Sequence, residues 1–257
     1  MLVRAPQRAP QVAPLLHPHR TAAGRRALVV GIIGGCGGAG ASVLAAALAR
    51  ASARTGPTLL VEIDQLGGGA DLLLGAEDEP GLRWPDLTSA RGRLLPGSLS
   101  GSLPLIDGVH VLATARSGPA TGPSAAAVTA VLDSAGAEYA VVVLDLPRHL
   151  DEAASTAVRV VDAGLVVVPA EVRATAAARR VVASLRPRVA DLRVVLRGPV
   201  PAGLDPNSIG TALGLPPAGL LSPEPGLKAA LDRGEPPGLR RRGPLARFCR
   251  ELLEELA

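Results

Sequence analysis

The chain has 257 residues, 47% apolar and 19% charged, a length and balance that suit one large domain around a substantial core. With aromatics at 1% and only Cys36 and Cys249 as cysteines, it offers no stacking platforms for single-stranded nucleic acid, no disulfide framework and no zinc cluster. The formal charge of +4 sits in residues 1–26, which hold Arg4, Arg8, Arg20, Arg25 and Arg26 and no acid, so the remainder is close to neutral and does not read as a specific nucleic-acid binder.

Residues 1–26 mix Pro, Arg, Ala and His without period and read as a disordered basic tail; residues 27–257 read as one α/β domain. No apolar run reaches the ~18 residues of a membrane span, and none near the start suits a signal peptide, so a cytoplasmic protein is expected. Residues 27–33 (ALVVGII) read as a strand buried on both faces, followed by a glycine loop and an Ala/Leu-rich helix over 42–54. A second buried strand is expected over 58–63, and further ones over 109–113, 140–144, 164–168 and 192–196. Helices are expected over 124–134, 151–160 and 174–185. A short last strand is expected near Leu220, and a terminal helix from about Pro244. Strand–helix alternation with apolar strands predicts a mostly parallel sheet of seven or eight strands covered by helices on both faces. Two stretches break the rhythm. Residues 77–104 form a long excursion that holds the only tryptophan, Trp84, and 198–240 are rich in Pro and Gly with short helices between turns.

The loop reads GGCGGAGAS from Gly34 to Ser42, between a buried strand and a helix, where backbone N–H groups and a helix N-terminus can cradle a phosphate. Gly35, Gly37 and Gly40 satisfy GxGxxG, and Glu62 lies about 20 residues further on, where a dinucleotide fold wants an acid for the ribose. The same stretch satisfies GxxxxGK[ST] except that Ala41 stands at the lysine position; Ser42 is then the hydroxyl for Mg²⁺.

The surrounding residues resemble the MinD/ParA family of deviant P-loop ATPases, whose loop reads KGGxGK[ST] where this chain has Cys36-Gly37-Gly38-Ala39-Gly40-Ala41-Ser42. The strand ending LLVEIDQLGGG places Asp64 on the family's switch aspartate, and VVVLDLP places Asp145 on its Mg²⁺-side aspartate. LVVVPAEVRATAAARR is similar to the following strand and helix. GADLLLGAEDEPGLRWPDL is similar to the CpaE/TadZ-like branch, and within it to the actinobacterial septum site-determining (Ssd) proteins. The resemblance implies a P-loop NTPase fold with nucleotide held by Gly35, Cys36, Gly37, Gly38, Ala39, Gly40, Ala41, Ser42 and Val43. It implies Mg²⁺ at Ser42 and Asp145, and catalytic or switching roles for Asp64 and Asp145. It also implies ATP as ligand, a homodimer, partners among cell-division or Tad pilus and secretion components, and peripheral association with the inner face of the membrane. Gln65 and Asp71 are secondary switch candidates, and Arg197 falls near where family members place an adenine-contacting asparagine.

The departures bear on activity. The family's dimer-crossing lysine is Cys36 here, the ordinary P-loop lysine is Ala41, and the chain's only lysine is Lys228. A hydrogen bond to a charged group is worth roughly 1.5–3 kcal/mol, so each loss weakens phosphate binding about 10- to 100-fold. Loss of a donor aimed at developing charge slows chemistry about 10²- to 10³-fold. The expectation is a spatial regulator that binds ATP weakly with little hydrolysis. An ATPase rescued by an arginine such as Arg148, a nucleotide-free scaffold and an NAD-dependent oxidoreductase using Glu62 remain open beside it. Glu62 is otherwise expected to face solvent or a local arginine, Trp84 to be a buried anchor, and Tyr139 to open a strand at the core's edge. The terminal helix carries Leu245, Phe248, Cys249, Leu252, Leu253 and Leu256 on one face. Its other face is of mixed charge, so it is expected to lie on the sheet rather than on a membrane.

Overall fold

The computed structural model describes residues 26–92, 94–115, 122–201 and 205–256. The expected tail therefore lies outside the described residues except for Arg26, which pairs with Asp162 at 3.0 Å. Eight strands form one sheet: β1 (Leu28–Gly34), β2 (Thr58–Glu62), β3 (Leu105–Ile106), β4 (Val109–Leu112), β5 (Val141–Leu146), β6 (Ala163–Pro169), β7 (Asp191–Arg197) and β8 (Pro217–Leu221). Their spatial order is β3-β4-β2-β5-β1-β6-β7-β8. Every pairing is parallel except β3 with β4, which closes one edge as a hairpin.

The strands are apolar on both faces because both faces are covered. Alternation along β1 sends Val29 and Ile33 to one layer and Val30 and Ile32 to the other. The first layer holds α3 (Ala125–Glu138), α4 (Glu152–Val158), α5 (Val172–Leu185) and α6 (Pro206–Leu213). The second holds α1 (Ala41–Ser52), α2 (Ala70–Leu74) and α8 (Pro244–Leu256), with α7 (Leu227–Leu231) at its rim. Helix α1 is buried along Leu44–Ala49 because its alanines let it approach both the sheet and α8. Helix α8 buries Leu245, Phe248, Cys249 and Leu252 in that layer, so the apolar face a membrane surface would need is taken up inside the fold. No helix among the described residues is long and apolar enough to cross a membrane.

The excursion over 77–104 is not a loose loop. Its Trp84, Leu87, Leu94, Leu99 and Leu103 are buried, and it contains a 3-10 turn at Trp84–Leu87. Its end supplies the hairpin edge that the apolar pattern did not announce, although Asp107-Gly108, with φ of 50° and 84°, is a strong local signal for such a turn. Tyr139 caps the end of α3 rather than opening a strand, and its ring meets His110 edge-on at 5.4 Å.

Candidate functional site

The topology fixes where a ligand can sit. Strand β1 lies between β5 and β6, the sheet's switch point, so the carboxyl ends of these strands frame a crevice. The loop after β1 occupies it. A Cβ at Gly35 would stand 2.8 Å from the Cβ of Ala178 and 2.9 Å from Cγ2 of Val168, so only glycine lets the loop lie this close to α5 and β6. Gly38 and Gly40 adopt φ of 69° and 90°, the left-handed region that glycine enters without strain. Gly40 then starts α1 with no side-chain cap and no acid in the first turn. The Gly35 amide donates to the Val167 carbonyl at 2.8 Å, but the amides of Cys36 through Val43 find no acceptor among the described residues. A row of free N–H groups at a helix start is an anion cradle by geometry and by dipole.

Asp145 is the second last residue of β5 and is 3% exposed. Burial pushes its carboxyl up to about 7. Hydrogen bonding with the Ser42 side chain opposes the rise, and the charges of Glu62 and Asp64 add to it. The loop's hydroxyl and this carboxylate are thus brought together, with Asp64 in the same field. Asp64 follows β2, is partly exposed, and its Oδ1 accepts the Leu66 amide at 3.0 Å, shaping the turn at 64–67.

Glu62 corrects the sequence-based expectation. It faces neither solvent nor an arginine but is 1% exposed. Its Oε1 accepts the Gly69 amide at 3.1 Å, and its Oε2 accepts both the Thr114 amide and hydroxyl at 2.9 Å. Buried and bonded to both segments, the carboxylate ties the 64–69 loop to Thr114 after β4 and is not presented to a ribose. Trp84 is the buried anchor expected, its indole N–H donating to the Glu62 carbonyl at 2.6 Å. Asp71 is buried and paired with Arg83 at 3.0 Å, tying α2 to the excursion rather than facing the crevice. Gln65 donates to the N-capping carboxylate of Asp151 at 3.2 Å, linking the loop after β2 to the start of α4. One sequence signal for Glu62 was its place inside an apolar strand, where a carboxylate is tolerated only when fully hydrogen-bonded.

Two arginines border the glycine loop. Arg197, the last residue of β7, donates from Nη1 to the Gly38 carbonyl at 3.1 Å. Arg148, just beyond β5, places Nη2 3.6 Å from where a Gly37 Cβ would stand. Beside Gly40, Val43 and Arg197 opens a cavity of about 300 Å³ walled by Leu221, Pro223 and Leu227 and bordered by Lys228. Its apolar walls and its place against the first turn of α1 suit a flat heterocycle. Cys36 is partly exposed in the loop.

The same architecture is found in solved structures. A ParA family ATPase from Chlorobium tepidum TLS superposes with a TM-score of 0.79 at 16% identity, over 89% of this chain and 98% of the other. The cell division ATPase MinD of Pyrococcus furiosus does so with 0.74 at 21%, over 90% and 99%. The septum site-determining protein MinD of Pyrococcus horikoshii, complexed with Mg-ADP, does so with 0.74 at 19%, over 90% and 96%. The fold is therefore that of the MinD/ParA P-loop ATPases, as the residues around the glycine loop led one to expect. In sequence, the chain is 41% identical over 225 residues to proteins of two Mycobacterium tuberculosis strains that are described as uncharacterized. The match covers 88% of this chain and 63% of each relative, so the chain spans less than two thirds of their length. No family model matches the chain.

Proposed function

We propose that this chain is a nucleotide-switched spatial regulator of the MinD/ParA kind. In this reading it binds ATP with Mg²⁺ weakly, turns it over slowly or not at all, and acts as a homodimer. Its place is septum-site determination or the localisation of a Tad-type pilus or secretion machine, as in the CpaE/Ssd-like branch. The observation that carries the reading is the row of unpartnered amides from Cys36 to Val43, in a glycine loop that opens α1 where β1 lies between β5 and β6.

The residues fit the ligand. Hard divalent cations take oxygen donors, and Ser42 and Asp145 supply a hydroxyl and a carboxylate beside the phosphate cradle. Held there, Mg²⁺ would supply charge that neutralises the phosphates. The amides from Cys36 to Val43 would hold the phosphates, and the cavity beside Val43 would take the base. Asp64, at the head of the 64–69 loop, would sense the terminal phosphate and pass its state to Gln65, Asp151 and α4. The absence of lysine at both Cys36 and Ala41 lowers affinity and, more strongly, rate, which favours a switch over an efficient hydrolase. The fold likeness to a septum site-determining MinD solved with Mg-ADP supports both the ligand and the cellular role. The burial of Glu62 and its bonds to Gly69 and Thr114 remove the acid an NAD-binding reading would need.

Calorimetric titration with ATP, ADP and NAD, with and without Mg²⁺, tests the proposal. ATP binding that depends on Mg²⁺ and is abolished in Ser42→Ala and Asp145→Ala is expected. Equal ATP affinity in the parent protein and both variants would refute the assignment of the site.

A further inference from the structure

A phosphate loop without lysine leaves the charge of a nucleotide to amide dipoles and one metal ion. Two guanidinium groups stand at this loop and come from elements far apart in sequence. Arg197 reaches it from β7, with Nη1 on the Gly38 carbonyl at 3.1 Å and 3.2 Å from where a Gly40 Cβ would stand. Arg148 reaches it from the end of β5, with Nη2 3.6 Å and Cζ 3.9 Å from a Cβ at Gly37. Since β5 lies on one side of β1 and β7 on the other beyond β6, the two side chains bracket the loop from opposite flanks. Neither takes part in an ion pair among the described residues, whereas Arg26, Arg50, Arg83, Arg193 and Arg233 all do. Arg197 uses one donor on Gly38, and a guanidinium has five in a fork that matches phosphate oxygens.

We propose that Arg197 and Arg148 together replace the missing loop lysine as the cations that hold the phosphates of the bound nucleotide. Arg197 acts from the side of the base cavity, and Arg148 from the side of Asp64. This rests on the nucleotide-binding reading above. It adds that affinity resides in phosphate charge recognised from outside the loop, so it rises from adenosine through ADP to ATP and falls with added salt.

The test is calorimetric titration of the whole chain with MgATP, MgADP and inorganic triphosphate. The variants are Arg197→Ala, Arg148→Ala, the double variant, Arg197→Lys and, as a distant control, Arg54→Ala. Each alanine variant is expected to weaken MgATP and triphosphate binding about 10- to 100-fold with an unchanged melting temperature, since Arg148 is exposed and Arg197 partly so. Arg197→Lys should recover part of the loss, and Arg54→Ala should bind like the parent. Unchanged affinity in the double variant overturns the proposal. So does tighter binding by Arg197→Ala, which would make the Gly38 contact a latch that competes with ligand. A parent protein that binds no nucleotide removes the underlying reading and this inference with it, whereas binding indifferent to both arginines removes the inference alone.

Discussion

The indole nitrogen of Trp84 donates a 2.6 Å hydrogen bond to the carbonyl oxygen of Glu62, the residue whose carboxylate holds the 64–69 loop. The single tryptophan is thereby fastened to the back of the candidate site. Trp84→Ala is expected to cost about 3–5 kcal/mol through the cavity it opens. Trp84→Phe should cost about 1–3 kcal/mol, because it strands a buried carbonyl. Urea unfolding midpoints give both values. As the only indole, Trp84 should also report ligand binding by a change in fluorescence, and Ser42→Ala should abolish that change.

Glu62→Gln tests the carboxylate's structural task. One amide oxygen and one NH₂ cannot accept from Gly69 on one side and from the Thr114 amide and hydroxyl on the other. A loss of about 1–3 kcal/mol in chemical unfolding is expected. Faster amide exchange should be confined to the 64–69 loop and the segment around Thr114. A variant as stable as the parent would contradict the buried network.

Asp145 makes stability depend on pH in a definite direction. Burial raises its folded pKa from 3.8 to about 7, with Glu62 and Asp64 adding to the rise. The folded state therefore binds the proton more tightly than the unfolded one. In chelator, the protonated carboxyl costs folding nothing below about pH 4; its ionisation destabilises the fold progressively from about pH 4 to 7, and the penalty stays constant above 7. At about 1.4 kcal/mol per unit, the effect is of the order of a few kcal/mol. Asp145→Asn should be more stable than the parent at pH 8 and close to it at pH 4, as read by urea melts. Mg²⁺ should stabilise only the parent.

Ala41→Lys restores the lysine the loop lacks. If the cradle is otherwise intact, MgATP affinity should rise about 10- to 100-fold. Phosphate release should rise about 10²- to 10³-fold if the remaining groups are placed for chemistry. Titration and a phosphate-release assay measure the two separately. A gain in binding without a gain in turnover would mark the site as built for switching alone.

Much of this was legible in the chain. The period of the apolar runs announced six central strands, because a strand buried on both faces must be continuous in Val, Ile and Leu. The glycine loop declared itself through Gly35, Gly38 and Gly40, where close approach or a positive φ admits no side chain. The amphipathic face from Leu245 to Leu256 correctly predicted a helix packed on the fold. Other features were hidden. Helix α2 is too short to show a period, and β3 is two residues long and pairs antiparallel through a turn that apolar periodicity does not report.

By itself the sequence determined the layer architecture, the position of the glycine loop and the absence of lysine from it, since these are properties of local pattern and residue identity. Only the tertiary structure decided that Glu62 turns inward to Thr114 and that Arg148 and Arg197 meet at one loop. Those residues are separated by scores of positions. What brings them together is the strand order β2-β5-β1-β6-β7, set by how helices on both faces bury the sheet rather than by any short-range preference.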